Sequence, residues 1–225
     1  MPHDVDHTAI LDRIAAMRGG ARHLFDGLDP SRTAHVVIDM QNGFMEEGAP
    51  VEVPEARSIV DNINRISAAV RDAGGQNIFV RYTTPGDGDP SWSVFLERLG
   101  TGAETHRAAF TPGAHYWQLW PGLEVSEDDR VLEKKRFSAF TPGASDLHKE
   151  LQTAGIDTVI ITGTLTNCCC ESTARDAMQF NYKVLVVADA NAALSDEEHS
   201  ATLHSMGFIF ADVYATDELV GLLES

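Results

Sequence analysis

The chain reads as an α/β protein: a three-layer α/β/α sandwich around a six-stranded, mainly parallel sheet. Three observations predict this. Short β-branched apolar runs alternate with segments whose apolar residues recur at helical spacing. The runs are apolar throughout, as in strands buried on both faces. The links between runs and helical segments are mostly short, which favours parallel crossovers.

The elements follow in order. An amphipathic helix over 5–18, with Val5, Ile10, Leu11, Ile14 and Met17 on its apolar side, stops at Gly19-Gly20. It belongs to an arm, residues 1–30, expected to pack on the outside of the domain or on a second subunit. A single domain over 31–225 follows. Its first strand spans 34–39, and a helix over 55–73 carries Ile59, Ile63, Ile66 and Val70 on one stripe. Gly74-Gly75 end that helix in the usual manner of a helix C-terminus. Strands are expected over 77–82 and 130–133, then a helix over 144–154 stopped by Gly155. A fourth strand over 158–162 is broken by Gly163, and a helix over 172–180 follows. The fifth strand covers 183–189. Ser195 caps a helix to Met206, with Glu197 and Glu198 near its positive end. A sixth strand is placed over 208–211, and Thr216 caps the last helix. Residues 83–129 interrupt this regularity and hold all three tryptophans. A connection that long inside a domain is usually functional. Trp92, Tyr116 and Trp117 are therefore candidates for a pocket wall, unless they only cover the sheet edge.

Charge excludes some functions. The chain of 225 residues has 34 acidic against 17 basic side chains, a net charge of −17. That disfavours nucleic acid and anionic membranes as partners. The acidic N-terminus lacks the apolar segment of a signal peptide, and no run reaches membrane-spanning length. All three cysteines are consecutive, Cys168 to Cys170. Neighbouring cysteines neither bridge readily nor chelate one zinc ion together. Unpaired thiols without an export signal point to the cytoplasm.

Ligands of a parallel sheet bind beyond the carboxyl ends of its strands. Asp39 stands at the end of the first strand, Lys134 and Lys135 at the end of the third, and the cysteines just past the fourth. A carboxylate, an ammonium and a thiol on one rim make a nucleophile with its activators. The cysteines are expected in the first turn of a helix, whose dipole favours a thiolate. Backbone N–H groups of such a turn can hold an oxyanion.

The segments IDMQNGF, EKKRFSAF and TGTLTNCCCESTARDA, in this order, resemble the isochorismatase-like cysteine hydrolases. That superfamily includes nicotinamidases and the N-carbamoylsarcosine, ureidoacrylate and biuret amidohydrolases. The likeness runs from about Ala34 to the C-terminus and implies a Rossmann-like isochorismatase fold. It implies Asp39 as proton acceptor, Lys134 rather than Lys135 as the amine, and Cys169 as the nucleophile. Cys168 and Cys170 remain as buried packing residues. A non-proline cis peptide is implied between Thr164 and Leu165, aiming the N–H groups of Leu165 and Cys169 at an oxyanion. Phe44 matches a pocket position of the ureido-type relatives. Gln41 and Asn42 serve either the substrate or the turn.

The implied reaction is hydrolysis of a small amide, carbamoyl or ureido compound through a thioester, releasing ammonia or an amine. The Asp-x-His of the metal-bearing nicotinamidases has no counterpart in TTPGDGDPSWSV, and His106 and His115 do not replace it, so neither metal nor cofactor is expected. His199 and His204 read as surface or packing residues. By the same resemblance the protein is a homo-oligomer, a dimer or tetramer. The competing readings are a vinyl-ether or ester hydrolase, a nicotinamidase-like amidase, a thiol-based redox or binding protein, and a partner protein with an idle site.

Overall fold

The computed structural model describes residues 3–86 and 90–224. The first two residues of the expected arm and the acidic stretch 87–89 of the expected wall segment lie outside them. The strands are β1 (Thr33–Ile38), β2 (Gln76–Tyr82), β3 (Arg130–Lys134), β4 (Thr158–Thr164), β5 (Lys183–Ala192) and β6 (Asp212–Tyr214). The helices are α1 (His7–Met17), α2 (Asn42–Met45), α3 (Val60–Asp72), α4 (Ser93–Leu99), α5 (Ala103–Ala109), α6 (Leu147–Thr153), α7 (Glu171–Gln179), α8 (Asp196–Ser205) and α9 (Thr216–Leu223).

The strands form one sheet in the order β3-β2-β1-β4-β5-β6, and every pair is parallel. Hydrophobic burial on both faces explains why β1 and β4 are buried at every residue. Ile63, Ile66 and Val70 of α3 and Leu219 of α9 cover one face. Leu147 and Leu151 of α6, Ala174 and Ala177 of α7, Leu203 of α8 and the arm helix α1 cover the other. Ile10, Leu11 and Ile14 bury α1 in that same core, and Arg18 pairs with buried Asp212. β1 lies between β2 and β4, so successive crossovers leave it in opposite directions. That is the switch point where a parallel sheet opens a crevice at its carboxyl edge.

Several boundaries differ from expectation. Gly163 does not break β4; the strand runs on to Thr164, with Gly163 paired to Asn191 across a register shift. A side chain at Gly163 would overlap the Ile38 carbonyl, and its φ is +113°, so glycine lets β1 and β4 approach. The run 208–211 is not a strand. Met206–Phe210 winds into a wide turn, closed by Ala211 N–H donating to Met206 O, and β6 starts at Asp212. A short apolar run does not distinguish a strand from a helical turn. Ala215, not Thr216, is the N-cap of α9. Thr216 instead donates both its N–H and its hydroxyl to Asp189 Oδ1, at 2.8 Å each. The helix expected over 55–73 opens as a tight turn, Pro54–Ile59, before α3 proper. Ser195 caps α8 as anticipated, accepting from Glu198 N–H.

Candidate active site

Asp39 is the residue after β1. Its φ of +55° is left-handed, uncommon for a residue with a side chain. Its N–H still donates to Val80 O of β2, at 2.8 Å. The chain thus turns sharply at the switch point and leaves a fully buried carboxylate there. Lys134, the last residue of β3, is also fully buried. Its ammonium donates to Arg136 O at 3.0 Å and Cys169 Sγ at 3.4 Å and is ion-paired with Asp39 Oδ2 at 2.7 Å. Three crossovers therefore deliver carboxylate, ammonium and thiol to one point. The Asp39–Lys134 contact is short but off hydrogen-bond alignment, which leaves the carboxylate oxygens able to accept another proton.

The cysteines do not occupy the first turn of an α-helix. Thr166–Cys170 form a wide turn, with Cys170 N–H donating to Leu165 O five residues back, and α7 begins only at Glu171. Such turns recur at functional sites. The Thr164–Leu165 peptide is cis, at the position the resemblance implies. Cys169 faces Lys134. Cys170 is packed in the core. Cys168, expected as packing, lines the same cavity as Cys169.

The electrostatics follow from burial. Desolvation raises the Asp39 carboxyl above its ordinary range, against the pull of Lys134 and a hydrogen bond from the Cys169 thiol. Burial disfavours the Lys134 ammonium, but Asp39 and Cys169 more than offset this and hold it charged. The Cys169 thiol is pushed well above its ordinary value by its hydrogen bond to Cys168, then by burial and by Asp39. This favours a thiol at Cys169, not the thiolate expected from a helix dipole. Burial also makes the Asp39 carboxylate more basic than an ordinary one.

A cavity of about 250 Å³ opens in front of Cys169. Phe44 lines it, with its ring against Phe110 at 4.9 Å. Gln41, Asn42, Trp92, Tyr116 and Trp117 do not. Gln41 Nε2 donates to Tyr82 O and Trp117 O, at 3.0 and 2.9 Å, and Oε1 accepts from Tyr82 N–H at 2.7 Å. Asn42 Nδ2 donates to His115 O at 3.0 Å. These two side chains clip the long segment 83–129 onto the sheet. Trp117 donates to Thr83 Oγ1 and lies under the Arg81 guanidinium, away from the thiol. Tyr116 accepts Gly43 N–H through its carbonyl. Trp92 stands one layer behind, against Phe95 and Phe137.

The wall also takes Tyr82, Phe95, Phe137 and Leu194, which sequence reasoning did not place there, and His106, weighed only as a metal ligand. Two carried a readable signal. Tyr82 ends β2, at the carboxyl edge, and Phe137 sits three residues after Lys134. The others arrive from segments whose sequence gives no period pointing inward. His199, read as surface or packing, is buried and bonded to Thr166 Oγ1 at 2.9 Å. Among the described residues, no group of three or more His, Cys, Asp or Glu side chains is placed to hold a metal ion.

An all-parallel sheet with a thiol, a carboxylate and an ammonium gathered at its switch point has the architecture of a cysteine hydrolase. Residues 33–218 match the isochorismatase domain, and the chain belongs to that family. It is 36% identical over 176 residues to a probable inactive nicotinamidase of Arabidopsis thaliana, covering 77% of this chain and 87% of that protein. It is 31% identical over 206 residues to the ureidoacrylate amidohydrolase RutB of Pseudomonas savastanoi pv. phaseolicola, covering 85% and 83%. A cysteine hydrolase from Pseudomonas syringae pv. phaseolicola superposes with a TM-score of 0.80 at 28% identity, over 88% of this chain and 94% of that one.

Proposed function

We propose that the protein is a cysteine amidohydrolase that cleaves the C–N bond of a small amide, carbamoyl or ureido compound through a thioester. One observation carries this: Lys134 Nζ lies 2.7 Å from Asp39 Oδ2 and 3.4 Å from Cys169 Sγ, and Cys169 lines a cavity. The likeness to an amidohydrolase supports the C–N class.

The chemistry follows from the protonation states. Asp39 takes the thiol proton as Sγ attacks the amide carbonyl, and the Lys134 ammonium steadies the charge on sulfur. The carbonyl π electrons move to oxygen, and the N–H groups of Leu165 and Cys169 donate hydrogen bonds to the resulting oxyanion. The tetrahedral species collapses, and the nitrogen leaves with the proton held by Asp39. A water molecule then gives its proton to the same carboxylate and attacks the thioester. The acid departs, and sulfur recovers its proton.

Ammonia release from a panel of amides, with Cys169→Ser as control, tests the reading. The expected result is turnover by the native protein, none by the variant, and an acyl adduct on Cys169 in the intact-protein mass spectrum. An unmodified Cys169, or equal ammonia from Cys169→Ser, removes the proposal. An idle site, as the plant relative's description suggests for that protein, would show neither turnover nor adduct.

A further inference from the structure

We infer that this site selects neutral amides with an apolar acyl group and rejects amides that bear a carboxylate. The inference rests on the amidohydrolase reading and narrows its substrate.

The argument is one of unmatched charge. The wall beyond Sγ is built from Phe44, Val53, Phe95, Leu99, Phe137 and Leu194. Among the described residues no lysine or arginine side chain lines it. The polar groups that do reach the wall are already engaged. Tyr82 Oη and His106 Nε2 share a hydrogen bond of 3.3 Å, and burial lowers His106 from 6.5 to about 4, so its imidazole is neutral near pH 7. Glu52 is negative, and its carboxylate accepts from Gly48 N–H at 2.8 Å and Arg57 Nη2 at 2.9 Å. The Lys134 ammonium is fully buried, bonded to Arg136 O and Cys169 Sγ and ion-paired with Asp39, so its charge is already matched.

A substrate carboxylate seated here would leave water, meet no cation and face Glu52. An unpaired buried charge is among the most unfavourable things a protein site can hold. An alkyl or aryl group of the same shape would gain from leaving water. The similar RutB protein acts, by its name, on an acrylate; this wall has no group to receive that end of such a molecule.

Two isosteric amides separate the possibilities. 5-Methylhexanamide and glutaramate share the same amide and methylene chain, and differ in ending as isopropyl or carboxylate. The expected ratio of kcat/KM is at least about 100-fold in favour of the neutral amide, equivalent to two factors of ten in transition-state binding. Leu194 is 55% exposed at the cavity rim, so Leu194→Arg can add a cation without disturbing the core. It should raise glutaramate turnover and narrow the ratio by about tenfold or more. Binding to Cys169→Ser, read by thermal shift, reports the same preference without turnover. Ammonia from glutaramate at equal or greater rate overturns this inference and leaves the amidohydrolase reading intact. Selective binding of 5-methylhexanamide with no ammonia and no adduct from either amide overturns the amidohydrolase reading and leaves the selectivity. Neither turnover nor binding of either amide overturns both.

Discussion

The Cys169 thiol and the Asp39 carboxyl are both buried beside Lys134, and in the proposed reaction a proton passes between them, so the site should respond to pH through both groups. Burial raises Asp39 above the ordinary 3.8 and raises Cys169 well above the ordinary 9.0. Activity needs one proton on the pair. It should rise from acid pH with a midpoint above 3.8 and fall only at a midpoint above 9.0, both belonging to the coupled group. A pH–rate profile of kcat/KM checks this; an acid midpoint at or below 3.8 would contradict it. Lys134 pulls Asp39 downward, so Lys134→Met should shift the acid limb to higher pH. The same variant should lose about 10²–10³ in kcat through loss of the stabilising charge. Cys169→Ser should lose at least about 10³.

Elements, not single side chains, hold this geometry. β1 and β4 approach closely enough at the switch point that only glycine fits at position 163. Gly163→Ala combines a left-handed φ with backbone overlap, and should cost roughly 3 kcal/mol or more of stability. Urea unfolding monitored by far-UV circular dichroism measures it; a loss below about 1 kcal/mol would mean the strands separate easily. Gln41 joins the end of β2 to the segment carrying Trp117 through three hydrogen bonds. Gln41→Ala leaves buried backbone groups unpaired and should cost about 2–3 kcal/mol. Because that segment supplies Phe95 and His106 to the cavity wall, the variant should raise KM more than it lowers kcat. A fall in kcat alone would place Gln41 in the chemistry instead.

At the scale of the whole molecule, buried neutral imidazoles tie folding to pH. His35 of β1 is fully buried, bonded to Thr162 Oγ1 at 2.8 Å and in reach of Ser67 and Asn77. Burial lowers it from 6.5 to about 3. Its unfolded form takes a proton below 6.5 while the folded form does not. Its contribution to stability is therefore complete above pH 6.5 and is lost as pH falls towards about 3, by up to about 1.4 kcal/mol per unit. His35→Gln should flatten the fall in unfolding free energy between pH 6.5 and about pH 5 by about 2 kcal/mol. An unchanged slope would place the acid sensitivity elsewhere. His199 and His106, lowered to about 3 and about 4, keep part of the slope in the variant.

By itself the sequence determined the α/β class, the run of buried strands and the three residues at their ends. Parallel strands must be apolar on both faces, and their carboxyl ends fall on one rim, so Asp39, Lys134 and the cysteine run could be read from local pattern and motif order. Tertiary structure decided which residues wall the cavity and whether sulfur rests as thiol or thiolate. Phe95 of α4, His106 of α5 and Leu194 line the cavity in front of Cys169 from separate segments, and no periodicity encodes a meeting between distant segments. Gln41, Asn42 and Trp117, conspicuous as letters, turned out to fasten the fold. The protonation of Cys169 depends on its neighbour Cys168 within the turn, but also on burial by the whole chain and on Asp39 beside it, and these last two are not properties of the turn.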